Sequence, residues 1–95
     1  QKLKDAIEEH YKTKHSASDY ADMLHVSPKA LGKIAKNYFN KTLTDLIAER
    51  IIIEAKRELY LTKKPVKEIA ADLGYQDEYY FSRFFKNNAN ISPQV

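Results

Sequence analysis

A chain of 95 residues holds one compact domain, or two very small subdomains that share a helix. Its 43% apolar residues supply a modest core, and the absence of cysteine removes disulfides and thiolate metal sites, which suits a cytoplasmic chain. The net charge of +3 is a weak sign of an anionic partner, so where the charge lies matters more than its sum.

No signal peptide is legible and none is expected, and no apolar run nears the roughly 18 residues of a membrane span. Lys2 to Tyr11 reads as a first helix, with Leu3, Ala6 and Ile7 on one side. Lys12 to Ser16 is polar and reads as a loop. Ser18 is the expected N-cap of a second helix, Asp19 to Leu24, because its hydroxyl can accept from an unpaired backbone N–H. His25-Val26 makes a turn. Ser27-Pro28 is a strong start signal, since serine caps and proline at the first helical position loses no needed bond. The third helix puts Leu31, Ile34, Ala35, Tyr38 and Phe39 on one face, with Lys29, Gly32, Lys33 and Lys36 elsewhere. From Pro28 to Thr42 there are four lysines and no acid, and Asn40 suits a left-handed helix end.

Thr42 caps a long helix, Leu43 to about Leu61, which spans roughly 28 Å. Leu43, Leu46, Ile47, Ile51, Ala55 and Leu59 form its apolar stripe, and Ile52 and Ile53 widen it. Thr62 to Pro65 ends it. In the next helix Val66, Ile69, Ala70 and Leu73 recur at helical spacing until Gly74 breaks the pattern. The last helix sets Tyr80, Phe81, Phe84 and Phe85 as a core face against Glu78, Tyr79, Ser82, Arg83 and Lys86. A helix, a glycine turn and a second helix with one apolar and one hydrogen-bonding face is a helix-turn-helix, whose second helix suits a DNA major groove.

The unit occurs twice. Tyr20 to Val26 overlays Ile69 to Tyr75 at an offset of 49, and beyond the turn the offset is 50. Ser27 then matches Asp77, Leu31 matches Phe81, and Ile34-Ala35-Lys36 matches Phe84-Phe85-Lys86. Asn40 matches Asn90, and Thr42 matches Ser92. Cations recur together, Lys33 with Arg83 and Lys36 with Lys86, and packing does not require that. The expectation is an all-α chain: a first helix-turn-helix subdomain over 1–42, a linker helix over 43–61 and a second subdomain over 62–95.

The string IAADLGYQDEYYFSRFFKNNANISP resembles the signature of the AraC/XylS family of bacterial transcriptional regulators. YADMLHVSPKALGKIAKNYFNKTL is similar to that family's weaker first motif, so the resemblance covers the chain from about Ser18 onward. It implies about seven helices in two subdomains, with recognition helices in successive major grooves on one DNA face. It also implies a domain cut from a longer regulator, whose effector or dimerisation part is absent here. His25 stands where the family often has glycine, which puts the geometry of the first turn in question. Asn40 and Asn90 stand for glycine at the helix ends, and Ala35 replaces a usual aromatic.

The expected partner is double-stranded DNA. In the first unit the candidate contacts are Lys29, Lys33 and Lys36, with Ala30 and Gly32 offering close approach. In the second they are Glu78, Tyr79, Ser82, Arg83 and Lys86, with Arg83 suited to a bidentate guanine contact. Ser18, Ser27, Asn37 and Asn87 are candidates for phosphate. His10, His15 and His25 lack metal-ligand spacing, no nucleophilic triad or Gly-rich phosphate loop is legible, and no cofactor is expected, so an enzyme reading is poor. The alternative is a helical module that docks on the transcription machinery, such as RNA polymerase, through the acidic faces of the long helix and Tyr60.

Overall fold

The computed structural model describes residues 2–89. Among them are six helices and no strand: α1 (Lys2–His10), α2 (Ala17–Met23), α3 (Pro28–Phe39), α4 (Leu43–Leu61), α5 (Val66–Asp72) and α6 (Glu78–Ala89). The expected all-α class with two helix-turn-helix subdomains holds. Asn90 and Ser92-Pro93 lie outside the described residues. Two compact units divide the chain, Gln1–Arg50 and Ile51–Val95, and the division falls inside α4.

In the first unit, α2 meets both α1 and α3. Leu3, Ile7, Tyr11, Tyr20, Ala21, Leu31, Ala35, Leu43, Ile47 and Ala48 are its buried apolar side chains, at spacings that follow one face of each helix. Arg50 fastens α4 to the α1 region. Its Nε donates to Glu8 Oε1 at 2.9 Å, and its guanidinium lies 4.2 Å from the centre of the Tyr11 ring. Tyr20 is fully buried, and its hydroxyl donates to the Lys14 carbonyl at 2.9 Å, which ties down the loop before α2.

The start of α2 corrects the sequence reading. Ser16 is the N-cap rather than Ser18, so the helix begins two residues earlier than expected. The reason is reciprocity. Asp19 N–H donates to Ser16 Oγ at 3.2 Å, and Ser16 N–H donates back to Asp19 Oδ2 at 3.4 Å. Such a capping box satisfies two backbone donors, whereas Ser18 has Ala21 three residues on and can make only half of it. The Ser16 side chain first, and then its backbone N–H, hydrogen-bond the Asp19 carboxylate and hold it below its ordinary range. Ser27 caps α3 as expected, accepting from Ala30 N–H at 3.1 Å, and Thr42 caps α4, accepting from Asp45 N–H at 3.1 Å. Asn40 ends α3 in the left-handed region at φ 57°.

In the second unit, α5 meets α6 over Ile69, Ala70, Leu73, Phe81 and Phe85, with Ile51, Ile52 and Ala55 of α4 also buried. Tyr75 sits among the aromatic rings, 5.4 Å from Phe81 and 5.7 Å from Phe84 between centroids. Lys64 bridges two acids, donating to Glu58 Oε1 at 3.0 Å and Asp72 Oδ2 at 2.9 Å. Those bonds, Asp72 first, hold its ammonium well above the usual lysine range.

Three expected core residues stand outside. Ile53 and Tyr80 are more than half exposed, and Tyr38 is 70% exposed. Neighbouring helical residues differ by about 100° around the axis. Ile53 therefore cannot share the face of Ile51, and Tyr80 cannot share that of Phe81. Tyr38 lies in the last turn of α3, one turn past the buried Ala35.

Candidate nucleic-acid interface

Two backbone turns place the second helix of each unit, and they are built alike. After α2, the Val26 N–H donates to the Ala21 carbonyl at 3.1 Å and the His25 N–H to Asp22 at 3.3 Å. After α5, the Tyr75 N–H donates to Ala70 at 2.9 Å and the Gly74 N–H to Ala71 at 3.0 Å. Both pairs are the two bonds of a Schellman helix end, which needs a left-handed residue at its centre. His25 supplies it at φ 57° and Gly74 at φ 86°. The histidine therefore leaves the first turn's bonding unchanged. Histidine is one of the few non-glycine residues enriched in that region.

Beyond the turns, α3 and α6 bury their apolar lines, Leu31 with Ala35 and Phe81 with Phe85. The opposite faces carry the candidate side chains. On α3, Lys29, Ala30, Lys33 and Lys36 are exposed, and Gly32 is half-buried. A Cβ built on Gly32 would meet no heavy atom within 4 Å, so packing does not demand glycine there. Mid-helix glycine is disfavoured by about 1 kcal/mol against alanine. On α6, Tyr79, Arg83 and Lys86 are exposed, while Glu78 and Ser82 are half-buried. The candidates of each unit thus share one helix surface. Asn37 and Asn87 are exposed too, and Ser18 is exposed but caps nothing.

Lys41 pairs with Glu49, Arg50 with Glu8, Arg57 with Glu54, and Lys64 with Glu58 and Asp72. Lys29, Lys33, Lys36, Arg83 and Lys86 have no ion pair with a described residue. Among the described residues, unpaired lysines also occur elsewhere, at Lys12, Lys56, Lys63 and Lys67, so what marks these two helices is how many unpaired cations they carry against a single acid. Five cations on two helices are left to solvent or to an anionic ligand. Glu78 is the single acid on either helix, and Asp77, just before α6, is occupied by accepting from Tyr79 N–H at 2.8 Å.

On these two helices Tyr38 and Tyr80 are the exposed residues that the sequence reading placed in the core, and Tyr80 lies beside Arg83. For Tyr80 the repeat held the signal, because an offset of 50 equates it with Ala30, which the same reading placed outside. The acidic face expected on α4 is smaller than its sequence suggests. Glu54 and Glu58 are buried and paired, and Glu49 is paired with Lys41. Tyr60 is exposed, as expected. Among the described residues no group of three or more His, Asp or Glu side chains could hold a metal ion, and no helix is long and apolar enough to cross a membrane.

A family model described as a helix-turn-helix domain matches residues 20–95. The HTH-type transcriptional activator Btr of Bacillus subtilis (strain 168) is 37% identical over 83 residues, which are 87% of this chain. The chain spans 16% of the length of that relative. The C-terminal domain of the two-component response regulator yesN from Fusobacterium nucleatum has the same fold. Its TM-score is 0.87 at 28% identity, covering 97% of this chain and 90% of that one. A transcriptional regulator from Chromobacterium violaceum described as AraC-type DNA-binding domain-containing aligns with a TM-score of 0.79. It is 24% identical and covers 97% of this chain and 82% of that one.

Proposed function

The chain belongs to the AraC-type helix-turn-helix family, whose domains bind DNA sequence-specifically in transcription regulation and are not enzymes; from that premise we propose that α3 and α6 enter successive major-groove segments of one double-stranded site. The observation that carries this reading is the set of five unneutralised cations. They sit on the outer faces of the two helices that follow helix-turn-helix turns, four of them at repeat-equivalent places. Lys33 with Arg83 and Lys36 with Lys86 are the matched pairs. Major-groove segments one turn apart on the same face lie about 34 Å apart. Residues 1–42 and 62–95 are then the two reading subdomains and 43–61 the linker helix.

The roles follow from chemistry. The Arg83 guanidinium suits guanine O6 and N7 together, and Glu78 can accept from a cytosine amine. Tyr79 suits a thymine methyl or a phosphate, and Ser82 either a base edge or the backbone. Lys29, Lys33, Lys36 and Lys86 suit phosphates or guanine, with Ala30 and Gly32 letting the backbone come close. The second reading, contact with RNA polymerase, retains exposed Tyr60 but has lost most of its acidic support. The working place of such a domain is the bacterial cytoplasm, on the nucleoid when bound.

Selection of bound duplexes from random DNA, followed by titration in salt, tests the reading. One sequence class should be enriched, and its affinity should fall steeply with salt through counterion release. If no duplex is retained even at low salt, the reading fails.

A further inference from the structure

Tyr80 is the exposed aromatic of α6 that neither the repeat's core pattern nor the polar-face list accounts for. It is 59% exposed, yet its ring is held: the centroid lies 5.9 Å from that of Tyr75, with the planes 30° apart. Tyr75 is itself buried and packed against Phe81 and Phe84, so the support is rigid. Tyr79, the neighbour first expected to meet a base, is 78% exposed and has no ring partner among the described residues. Tyr80 lies one turn before Arg83, and together with Phe84, Asn87 and Asn88 they line an open groove of about 270 Å³. Asn88 is occupied there, donating to the Phe84 carbonyl at 2.9 Å. The groove therefore offers an apolar ring next to a guanidinium.

We infer that Tyr80 is a specificity-determining residue of the DNA interface, reading the 5-methyl group of a thymine beside the base that Arg83 contacts. The inference rests on the DNA reading above. Aromatic and methyl-bearing side chains distinguish thymine by apolar contact with that methyl, and alanine does so as well. The repeat is consistent with this, since the equivalent position on α3 is exposed Ala30. A ring already fixed on Tyr75 loses little freedom on binding, so its contact discriminates where a free ring would merely adapt. The first unit has no such support, because Val26 stands where Tyr75 stands in the second.

The test uses the 95-residue chain and the duplex it selects from random DNA. Each thymine of that site is replaced in turn by uracil, which differs only in lacking the methyl group. At one thymine the replacement should weaken binding about three- to tenfold, the worth of roughly one buried methyl. Tyr80→Ala draws the apolar surface back by the length of the ring and should abolish that difference, Tyr80→Gln should abolish it with no loss of helix propensity, and Tyr80→Phe should keep it. Circular dichroism should show all three variants folded, since the ring is mostly outside the core. Indifference of the wild type to every uracil overturns the inference while leaving DNA binding intact. So does uracil sensitivity that survives in Tyr80→Gln but disappears in Tyr79→Ala, or that disappears in Tyr80→Phe. Failure of the wild type to select any duplex removes the DNA reading itself.

Discussion

His25 and Gly74 hold the same left-handed turn with the same pair of backbone bonds, yet the helices behind them are built differently. The second unit fills its interior with rings. Tyr75, Phe81 and Phe85 are buried where the first unit has Val26, Leu31 and Ala35. The first unit instead buries Tyr20 whole and gathers Leu3 and Ile7 from α1. The outer faces diverge as well. On α3 every charged group is a lysine, while α6 mixes an acid, hydroxyls, an arginine, a lysine and amides. Backbone bonding fixes how each helix is presented, and that part tolerates a histidine. On the DNA reading proposed above, side-chain chemistry then sets what each helix can discriminate. Lysine makes strong, indifferent phosphate contacts, whereas arginine and a fixed ring choose among bases.

The largest test of this contrast is in the cores. Phe85→Ala should destabilise the chain by about 3–5 kcal/mol in thermal or denaturant unfolding, as for other buried phenylalanines. The matching Ala35→Gly should cost about 1–2 kcal/mol, through helix propensity and the loss of one buried methyl. Equal losses would mean that the second core is not the more tightly packed.

Next come the outer faces. Arg83→Ala should weaken binding by about 1–3 kcal/mol and relax preference at one base, read by repeating the site selection. Lys36→Ala should weaken all sequences alike and lower the salt slope by about one. Unchanged base preference in Arg83→Ala would show that the wrong face of α6 has been assigned.

The turns provide the third test, with opposite signs. Gly74→Ala forces a Cβ into the left-handed region and should destabilise by about 1–2 kcal/mol. His25→Gly relieves that strain but gives the unfolded chain more freedom, so it should stabilise by less than about 1 kcal/mol. A destabilised His25→Gly would show that the imidazole does something beyond filling the turn. On α3, Gly32→Ala should stabilise the chain by about 0.5–1 kcal/mol, because the new methyl meets open space. The same change should reduce DNA affinity if close backbone approach is what keeps glycine there.

The last effect is silent at neutral pH. Burial pushes the Tyr20 hydroxyl up from 10.0 to about 12, and burial likewise raises Tyr75. A raised pKa means that the folded state favours the neutral phenol. Its contribution is complete below pH 10, where neither state ionises, and is lost as the pH climbs through about 12. Stability measured from pH 9 to 12 should therefore fall, and less steeply in Tyr20→Phe.

Much of the fold was legible because it was written in local signals. Ser27-Pro28, Thr42 and Asn40 mark helix ends with their own backbone chemistry, and the apolar spacing of Leu31 with Ala35 and Phe81 with Phe85 marks burial. The α2 start was misread because two serines competed, and only the reciprocal bond to Asp19 decides for Ser16. The candidate residues could be proposed from the sequence as the outward positions of two helices, and Tyr80 was not among them. An aromatic residue beside a buried one reads as core in sequence.

The sequence by itself determined the helices, their duplication and the cations that recur with it, because capping, periodicity and repetition act over a few residues. Only the tertiary structure decided which acids and bases cancel one another and which rings face outward. Lys64 meets Asp72 and Arg50 meets Glu8 only once the helices have packed. Tyr80 becomes a supported surface only when Tyr75 is buried beneath it. Arg50 and Glu8 are 42 residues apart, and even near pairs such as Lys64 with Asp72 or Tyr75 with Tyr80 join a loop residue to a helix, so helical periodicity alone cannot state them.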